Sequence, residues 1–268
     1  MSFRLLPFGQ QADLYPRFEG AGDGSLLWGC PGLRDEQYAV QSALYFLSFR
    51  PCYNGGILRK VGDETMRPEG RSMREAILDA AVQLFAEYGY HAAPLRDIAR
   101  IAGIQAASIY YHYPSKQALL VEIMETYMQL LNNNTERIMR EYTDPLQQLH
   151  EVIANHVRMH TTYKAEFFII DTEIRSLEDE SRPSILSLRH KYEMLLQDIL
   201  HAGMEQGLFH RCDVKVTSYA IIAMCTQVAS WFHADGRLSV QQVITIYRQL
   251  ITEGLLLAPD GPHILKEA

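Results

Sequence analysis

The sequence predicts an all-α protein in which a head of short helices precedes a bundle of longer ones. Three observations carry that prediction. Apolar residues recur at helical spacing from Met73 onward, Gly and Pro punctuate them at helix-length intervals, and no segment keeps the alternating period of a strand over a useful length.

Residues 1–65 lack this pattern. Gly20, Gly22 and Gly24, then Pro31 and Gly32, then Pro51, Gly55 and Gly56 interrupt any sustained period, and only Asp35 to Phe49 suits a short helix. This segment is expected to be a poorly structured N-terminal extension or a start-site over-extension, because the polar run Met66 to Met73 suits the true start of a helical protein. The first helix carries Ile77, Ala80, Ala81, Leu84 and Phe85 on one face and stops at Gly89. Pro94 sits where proline is tolerated, in the first turn of a second helix bearing Leu95, Ile98 and Ala99, and Gly103 ends it. A third helix runs from about Gln105 to His112 and stops ahead of Pro114; Ser115 then caps a longer one through Leu131.

Further punctuation marks the rest of the bundle. Asp144-Pro145 starts one segment, and Ser181 with Pro183 starts another that ends near Gly203 or Gly207. Asp213 starts a third, and Ser239 with Gln242 forms a capping box for the last.

Composition excludes several classes. A net charge of −7 rules out a polycation that coats nucleic acid through bulk charge, so any DNA binding must come from a local surface. The apolar stretch Ala43 to Phe49 is too short to span a bilayer, and no membrane partner is expected. Cys30, Cys52, Cys212 and Cys225 show no paired spacing, which fits buried thiols in a reducing cytoplasm.

The head has the parts of a helix-turn-helix DNA-binding domain, assigned to residues 66–120. Leu95 to Ile101 serves as support, Ala102-Gly103-Ile104 as the turn, and Gln105 to Tyr113 as the element that enters the major groove. Ala99, Ile104 and Ile109 are spaced to pack the two helices together, which leaves Gln105, Ser108, Tyr110, Tyr111 and His112 for DNA. Within residues 66–120, Arg67, Arg71, Arg74, Arg96, Arg100 and Lys116 slightly outnumber Glu69, Glu75, Asp79, Glu87 and Asp97. The acidic excess therefore lies mostly elsewhere, as a DNA reader requires.

Here the chain resembles the tetracycline-repressor (TetR/AcrR) family of regulators. The matching runs are Ile77 to Tyr90 (ILDAAVQLFAEYGY), Leu95 to Ala99 (LRDIA), Ala102 to Ile104, Ser108 to Lys116 (SIYYHYPSK) and Ala118 to Leu120. The resemblance implies that Arg96 reaches a base or phosphate from the support helix. It implies that Tyr110, Tyr111 and His112 contact phosphates and thymine methyls, and that Lys116 sits on the backbone. Tyr113 is expected to be core. Two departures are Ala93-Pro94, where the family often has a hydroxyl, and Ala106-Ala107, where it often has polar or basic residues. Base readout then rests chiefly on Gln105, Ser108 and Arg96.

Residues 121–268 are expected to form a helical-bundle ligand-binding and dimerisation domain. A small reading head covers one half-site, so a homodimer on a palindromic double-stranded DNA operator is the expected partner arrangement. Ala220, Ala223, Met224, Gln227 and Trp231 form one stripe for that contact, and Val243, Tyr247, Leu250 and Ile251 another. A pocket between the middle helices has Val157, Phe167, Phe168, Ile174, Met194, Leu195, Ile222 and Phe232 as candidate lining, each of which also suits ordinary core. The runs Phe167 to Leu177, Leu188 to Tyr192 and Trp231 to Ser239 resemble the sensor half of regulators of fatty-acid, sterol or branched-chain acyl catabolism, several of which respond to acyl-CoA. That resemblance implies Arg175, Arg189 and Lys191 as candidates for the CoA phosphates.

No catalytic residues, cofactor or metal are expected. His156 and His160 share a helix face, but no Glu stands between them in the metalloprotease pattern and no third ligand is near. Glu178, Asp179 and Glu180 read as a solvated loop, and no phosphate loop or nucleophile elbow is present. The expected function is a ligand-responsive repressor released by a small apolar or acyl-CoA effector. The competing class is an enzyme or helical binding module with an incidental helix-turn-helix.

Overall fold

The computed structural model describes residues 72–255; residues 1–65, with the helix expected from Asp35 to Phe49, and Cys30 and Cys52 lie outside the described residues. Every regular element in this span is helical. In chain order they are α1 (Met73–Tyr88), α2 (Leu95–Ala102), α3 (Ala106–His112), α4 (Lys116–Glu141), α5 (Pro145–Thr162) and α6 (Lys164–Thr172). A single 3-10 turn (Ile174–Ser176) leads to α7 (Arg182–Glu205), α8 (Val214–Thr226), α9 (Val228–Trp231) and α10 (Val240–Leu255). Among the described residues no helix is long and apolar enough to cross a membrane.

Local chemistry explains most of the boundaries. Ser72 and Glu75 close a capping box on α1: the Glu75 N–H donates to Ser72 Oγ at 3.2 Å, and the Ser72 N–H donates to Glu75 Oε2 at 3.0 Å. Gly103 ends α2 in the left-handed region at φ 70°, where a β-carbon is strained, and the Ile104 N–H then reaches Ala99 O at 3.0 Å. Ser115, Asp144 and Asp213 cap α4, α5 and α8 through the N–H groups of Ala118, Gln147 and Val216. Ser239 and Gln242 make the capping box of α10. Ser181, by contrast, makes no side-chain cap. Arg182 closes that turn instead, donating to Leu177 O at 2.7 Å and Asp179 Oδ1 at 3.0 Å.

One helix is longer than expected. The run Asn132-Asn133-Asn134 has poor helix propensity, yet α4 passes through it and ends at Glu141 instead of Leu131. Tertiary contacts override propensity here. Asn132 Nδ2 donates to Leu188 O of α7 at 3.0 Å, and Asn134 Nδ2 donates to Asn155 Oδ1 of α5 at 3.3 Å. Lys191 of α7 pairs with Glu136 at 2.6 Å, so α4 is pinned on two sides along this stretch.

Buried side chains from Ile77 to Ile251 form one continuous cluster. Its head portion contains Ile77, Phe85, Ile98, Ile109 and Tyr113, and its bundle portion Leu149, Val157, Phe167, Leu196 and Val243. Each fully buried large aliphatic side chain contributes about 1.5–3 kcal/mol. Gly203 marks a close contact: a β-carbon there would stand 2.1 Å from the ring of the buried Phe209.

The bundle also holds an aromatic polar stack. The rings of His156 and His160 lie parallel at 4.1 Å, and Phe167 covers His160 from the other side at 4.1 Å. His156 is bound at both ring nitrogens, to the Tyr192 hydroxyl at 2.7 Å and the Thr226 hydroxyl at 3.1 Å. His160 Nδ1 donates to the His156 carbonyl at 3.1 Å. Burial holds His156 well below the usual histidine range, helped by its neighbour His160, and burial lowers His160 to about 3. Both rings are therefore neutral at physiological pH.

This packing is testable at two points. Gly203→Ala should destabilise the fold by about 1–3 kcal/mol in urea unfolding, because the Phe209 ring must leave its rotamer; wild-type stability would mean the ring moves aside freely. Because both histidines have depressed folded pKa values, the unfolded chain takes up protons first as pH falls. Their contribution is complete above about pH 6.5 and declines toward pH 3. Between about pH 7.5 and 5.5 the loss should be roughly 2–3 kcal/mol, and a urea midpoint flat across that range would contradict the neutral stack.

Candidate nucleic-acid interface and sensor interior

A helix of seven residues cannot stand alone in water, so α3 takes its stability from what lies behind it. It buries only Ile109. The anchor comes one residue after the helix ends, where Tyr113 is almost fully buried and its hydroxyl donates to Glu122 Oε1 of α4 at 3.1 Å. Arg74 of α1 lies over the Tyr113 ring at 4.5 Å, pairs with Glu122, and donates to the His112 carbonyl at 3.2 Å. Burial raises the Tyr113 phenol, and the Glu122 carboxylate adds to that, so it stays a neutral donor. The expectation that Tyr113 is core agrees with this placement.

The outer face of α3 is free of the core. Tyr110 is 59% exposed and Tyr111 89% exposed. Gln105, Ala106, Ala107 and Ser108 are exposed as well. His112 is half-buried, its ring edge-on to Tyr111 at 5.2 Å. Neither α2 nor α3 has a side-chain cap, since Pro94 and Gln105 occupy the capping positions without bonding inward.

On α2, Arg96 is 81% exposed and makes only a loose 4.0 Å approach to Asp97. Arg100, one turn on and 72% exposed, is similarly placed at 3.8 Å. Arg100 was not among the expected contacts, although its i, i+4 relation to Arg96 was readable. Lys116 takes an unexpected position. Its ammonium points inward, donating to the His91 carbonyl at 3.3 Å and lying 4.5 Å over the Tyr90 ring, and burial lowers its pKa.

In the sensor, Val157 and Phe167 lie in the closed interior, and Phe167 covers the histidine stack. Phe232 is buried where α9 ends, and its carbonyl accepts from Lys164 at 3.3 Å. Phe168 and Ile174 are half-buried, Arg175 is exposed, and Met194 lies on the outer side of α7. Arg189 faces inward. It pairs with Asp171 and approaches the Ile170 carbonyl, both at 3.4 Å, and its charge contributes to the low pKa of His160. Lys191 is engaged with Glu136. Glu166, half-covered by α4, accepts from the Tyr127 hydroxyl at 3.1 Å, and burial raises its pKa. Sequence reasoning missed this carboxylate, which no motif marks.

The last helices present an apolar surface. Leu250 is 55% exposed and Trp231 45% exposed; Ala220 and Ala223 are exposed, while Met224, Gln227 and Tyr247 are half-buried. Trp231 and Tyr247 approach with ring centroids at 6.4 Å, which links α9 to α10. Val216 and Ile246, outside the expected stripes, are also exposed. Polar ties brace α10 on α5: Arg248 bonds Glu151 at 2.6 Å and the His150 carbonyl at 2.9 Å, and His150 bonds Thr252 at 2.8 Å.

Comparison with known proteins covers both halves. Residues 77–123 match the family model described as bacterial regulatory proteins, tetR family, and residues 142–255 match tetracyclin repressor-like, C-terminal domain. The HTH-type transcriptional repressor KstR2 of Mycobacterium tuberculosis is 30% identical over 187 residues, covering 69% of this chain and 93% of the relative. The crystal structure of the TetR family regulator PfmR from Thermus thermophilus is 32% identical with a TM-score of 0.62, covering 66% of this chain and 97% of that one. AibR in complex with isovaleryl coenzyme A and operator DNA is 26% identical with a TM-score of 0.62, covering 67% and 97% respectively. The chain belongs to the TetR family of bacterial regulatory proteins: it is a DNA-binding transcriptional regulator and not an enzyme.

Proposed function

We propose that the protein represses transcription as a homodimer on a two-fold operator and is released by an acyl-CoA or similar small apolar effector. The observation that carries this reading is the outer face of α3, where Tyr110 and Tyr111 stand in solvent on a helix anchored from behind by Tyr113. Exposed phenols on a fixed helix suit phosphate oxygens and thymine methyls, and Gln105, Ser108 and Arg96 supply the base-reading groups. His112 completes the proposed face; Lys116, whose ammonium is turned inward onto the His91 carbonyl, would have to swing outward to reach the DNA backbone. Residues 66–120 act as the reading head and 121–268 as sensor and dimer domain, with that division falling inside α4.

Dimerisation would cover the exposed apolar face of α8–α10 and set two heads on successive half-sites. The effector class is supported by likeness to AibR, solved with isovaleryl coenzyme A, and to the repressor KstR2. In the sensor, Val157, Phe167, Phe168, Ile174 and Phe232 would meet the acyl part. Arg175 and Arg189 would meet the polar end, Arg189 by exchanging its Asp171 partner. Met194 stands outside the bundle and would take part only near a pocket mouth. Effector binding then shifts the population toward a conformer whose heads are wrongly spaced for the operator.

The deciding experiment is binding of the purified protein to DNA upstream of its own gene, with and without a panel of acyl-CoAs. Specific binding released by one thioester is expected; binding indifferent to the whole panel would remove the acyl-CoA reading and keep the repressor. Tyr111→Ala should weaken operator binding at least about tenfold, on a scale of about 1–3 kcal/mol per specific contact, with thermal stability unchanged. A variant that binds like wild type would remove α3 as the reading element. Leu250→Asp should yield monomers in sedimentation velocity and lose operator affinity in parallel. A dimer that survives it would place the interface elsewhere.

A further inference from the structure

The turn that follows α1 is held from the sensor side. Gly89 stands at φ 82°, and the next amide, the Tyr90 N–H, donates to Glu173 Oε1 at 3.1 Å. Glu173 caps the end of α6, its own N–H bonded to Ile169 O at 2.9 Å. Its second oxygen accepts from the Ser176 hydroxyl at 2.5 Å, and the same hydroxyl meets His91 Nε2 at 3.2 Å. Gln117 at the start of α4 completes the junction. In the amide orientation that satisfies both its ends, it donates to the Tyr90 hydroxyl at 3.0 Å and the Ser176 carbonyl at 3.3 Å, and accepts from the Glu178 N–H at 2.9 Å.

The electrostatics make this junction poised. Glu173 lies against the C-terminal ends of both α1 and α6, where the partial charge of the peptide dipoles disfavours an anion. Two features compensate: the Tyr90 N–H, and the inward-turned Lys116, whose ammonium rests on the His91 carbonyl and whose charged form Glu173 favours. Steric room is equally limited, because a β-carbon at residue 89 would stand 3.3 Å from Glu173 Oε1. The contact therefore persists only while the end of α6 keeps its present place. Phe167 packs on the histidine stack of the bundle interior and belongs to the same helix that Glu173 ends, so the stack and the junction share one element.

We infer that Glu173 is a positioning residue: its carboxylate, held at the end of α6, sets the pitch of the DNA-reading head by gripping the turn after α1. The inference rests on the regulator reading and adds to it the residue through which the sensor acts. Release of Glu173 from Tyr90 frees the head to rotate about the start of α4, which lowers operator affinity without touching α3.

Hydrogen exchange and operator binding on the full chain test this together, with Glu173→Ala, Glu173→Gln and Ser176→Ala. In Glu173→Ala, exchange at the Tyr90 amide should rise at least about tenfold and operator affinity should fall by about tenfold, within the usual range of coupling between sites. The bundle should keep its melting temperature. Glu173→Gln, which retains an acceptor oxygen for the Tyr90 N–H, should restore most of both. Ser176→Ala should give the same pattern at smaller size, and it carries the test if the alanine variant at 173 does not fold. Unchanged exchange at Tyr90, or faster exchange with operator affinity intact, would overturn the positioning role. So would a glutamine variant no better than alanine. A wild-type protein that binds no specific DNA would instead overturn the regulator reading, before any variant is compared.

Discussion

The reading head depends on one buried aromatic ring. Seven residues of α3 bury a single side chain, Ile109, which cannot offset the backbone entropy of ordering them. Tyr113 supplies what is missing. Its ring is enclosed, Arg74 covers its face, and its hydroxyl and that guanidinium converge on Glu122. Three helices are thereby joined at one point: α1 through Arg74, the end of α3 through Tyr113 and the His112 carbonyl, and α4 through Glu122. A half-exposed ion pair alone would contribute little. The enclosed ring, with a phenol that burial keeps neutral, gives the pair a fixed partner and turns a marginal helix into a rigid presenting surface.

The same constraint explains the division of labour along the sequence Ile109-Tyr-Tyr-His-Tyr113. Ile109 and Tyr113 are one turn apart and face inward, which drives Tyr110 and Tyr111 outward. Two aromatics in solvent are a cost to solubility that a stable monomeric surface has no use for. They make sense where a polar, charged partner with methyl groups meets them. The sensor shows the opposite arrangement. Its interior contains hydroxyls, two neutral histidines and the Arg189–Asp171 pair, each with a hydrogen-bond partner within the bundle. A purely apolar core would be simpler to stabilise, so these groups favour a specific arrangement of α5, α6, α7 and α8 over generic packing.

Much of this was legible in the sequence because the head is written in local signals. Gly89, Gly103 and Ser115 fall where the chain needs a positive φ or a cap, so the limits of α1, α2 and α4's start follow from a few residues. What was illegible came from tertiary contacts. Nothing local in Asn132-Asn-Asn134 indicates that Leu188 O and Asn155 Oδ1 will accept from two of the amides and carry α4 onward to Glu141. The break between α5 and α6 at Tyr163 has no Gly or Pro to mark it. Lys116 shows the same limit at the level of a side chain. Its place at the start of α4 was readable, but not the inward direction set by the His91 carbonyl and the Tyr90 ring.

The composition of the reading face bears on how this regulator finds its site. Ala106 and Ala107 occupy the exposed start of α3, and Ala93-Pro94 precedes α2 without a hydroxyl. Methyl groups meet thymine methyls but reject other bases weakly, so few hydrogen-bonding side chains remain. A good bidentate contact discriminates by about 1–3 kcal/mol, and the proposed contacts Gln105, Ser108 and Arg96 would offer only a few per head. A single head making these proposed contacts would supply only the lower part of the roughly 4–10 kcal/mol that separates specific from non-specific binding. In the proposed homodimer, two heads held at fixed spacing would double the direct readout and add the requirement that both half-sites lie in register. Specificity then resides as much in the geometry that joins the heads as in the side chains that touch bases. A sensor that alters that geometry needs no contact with DNA to abolish recognition.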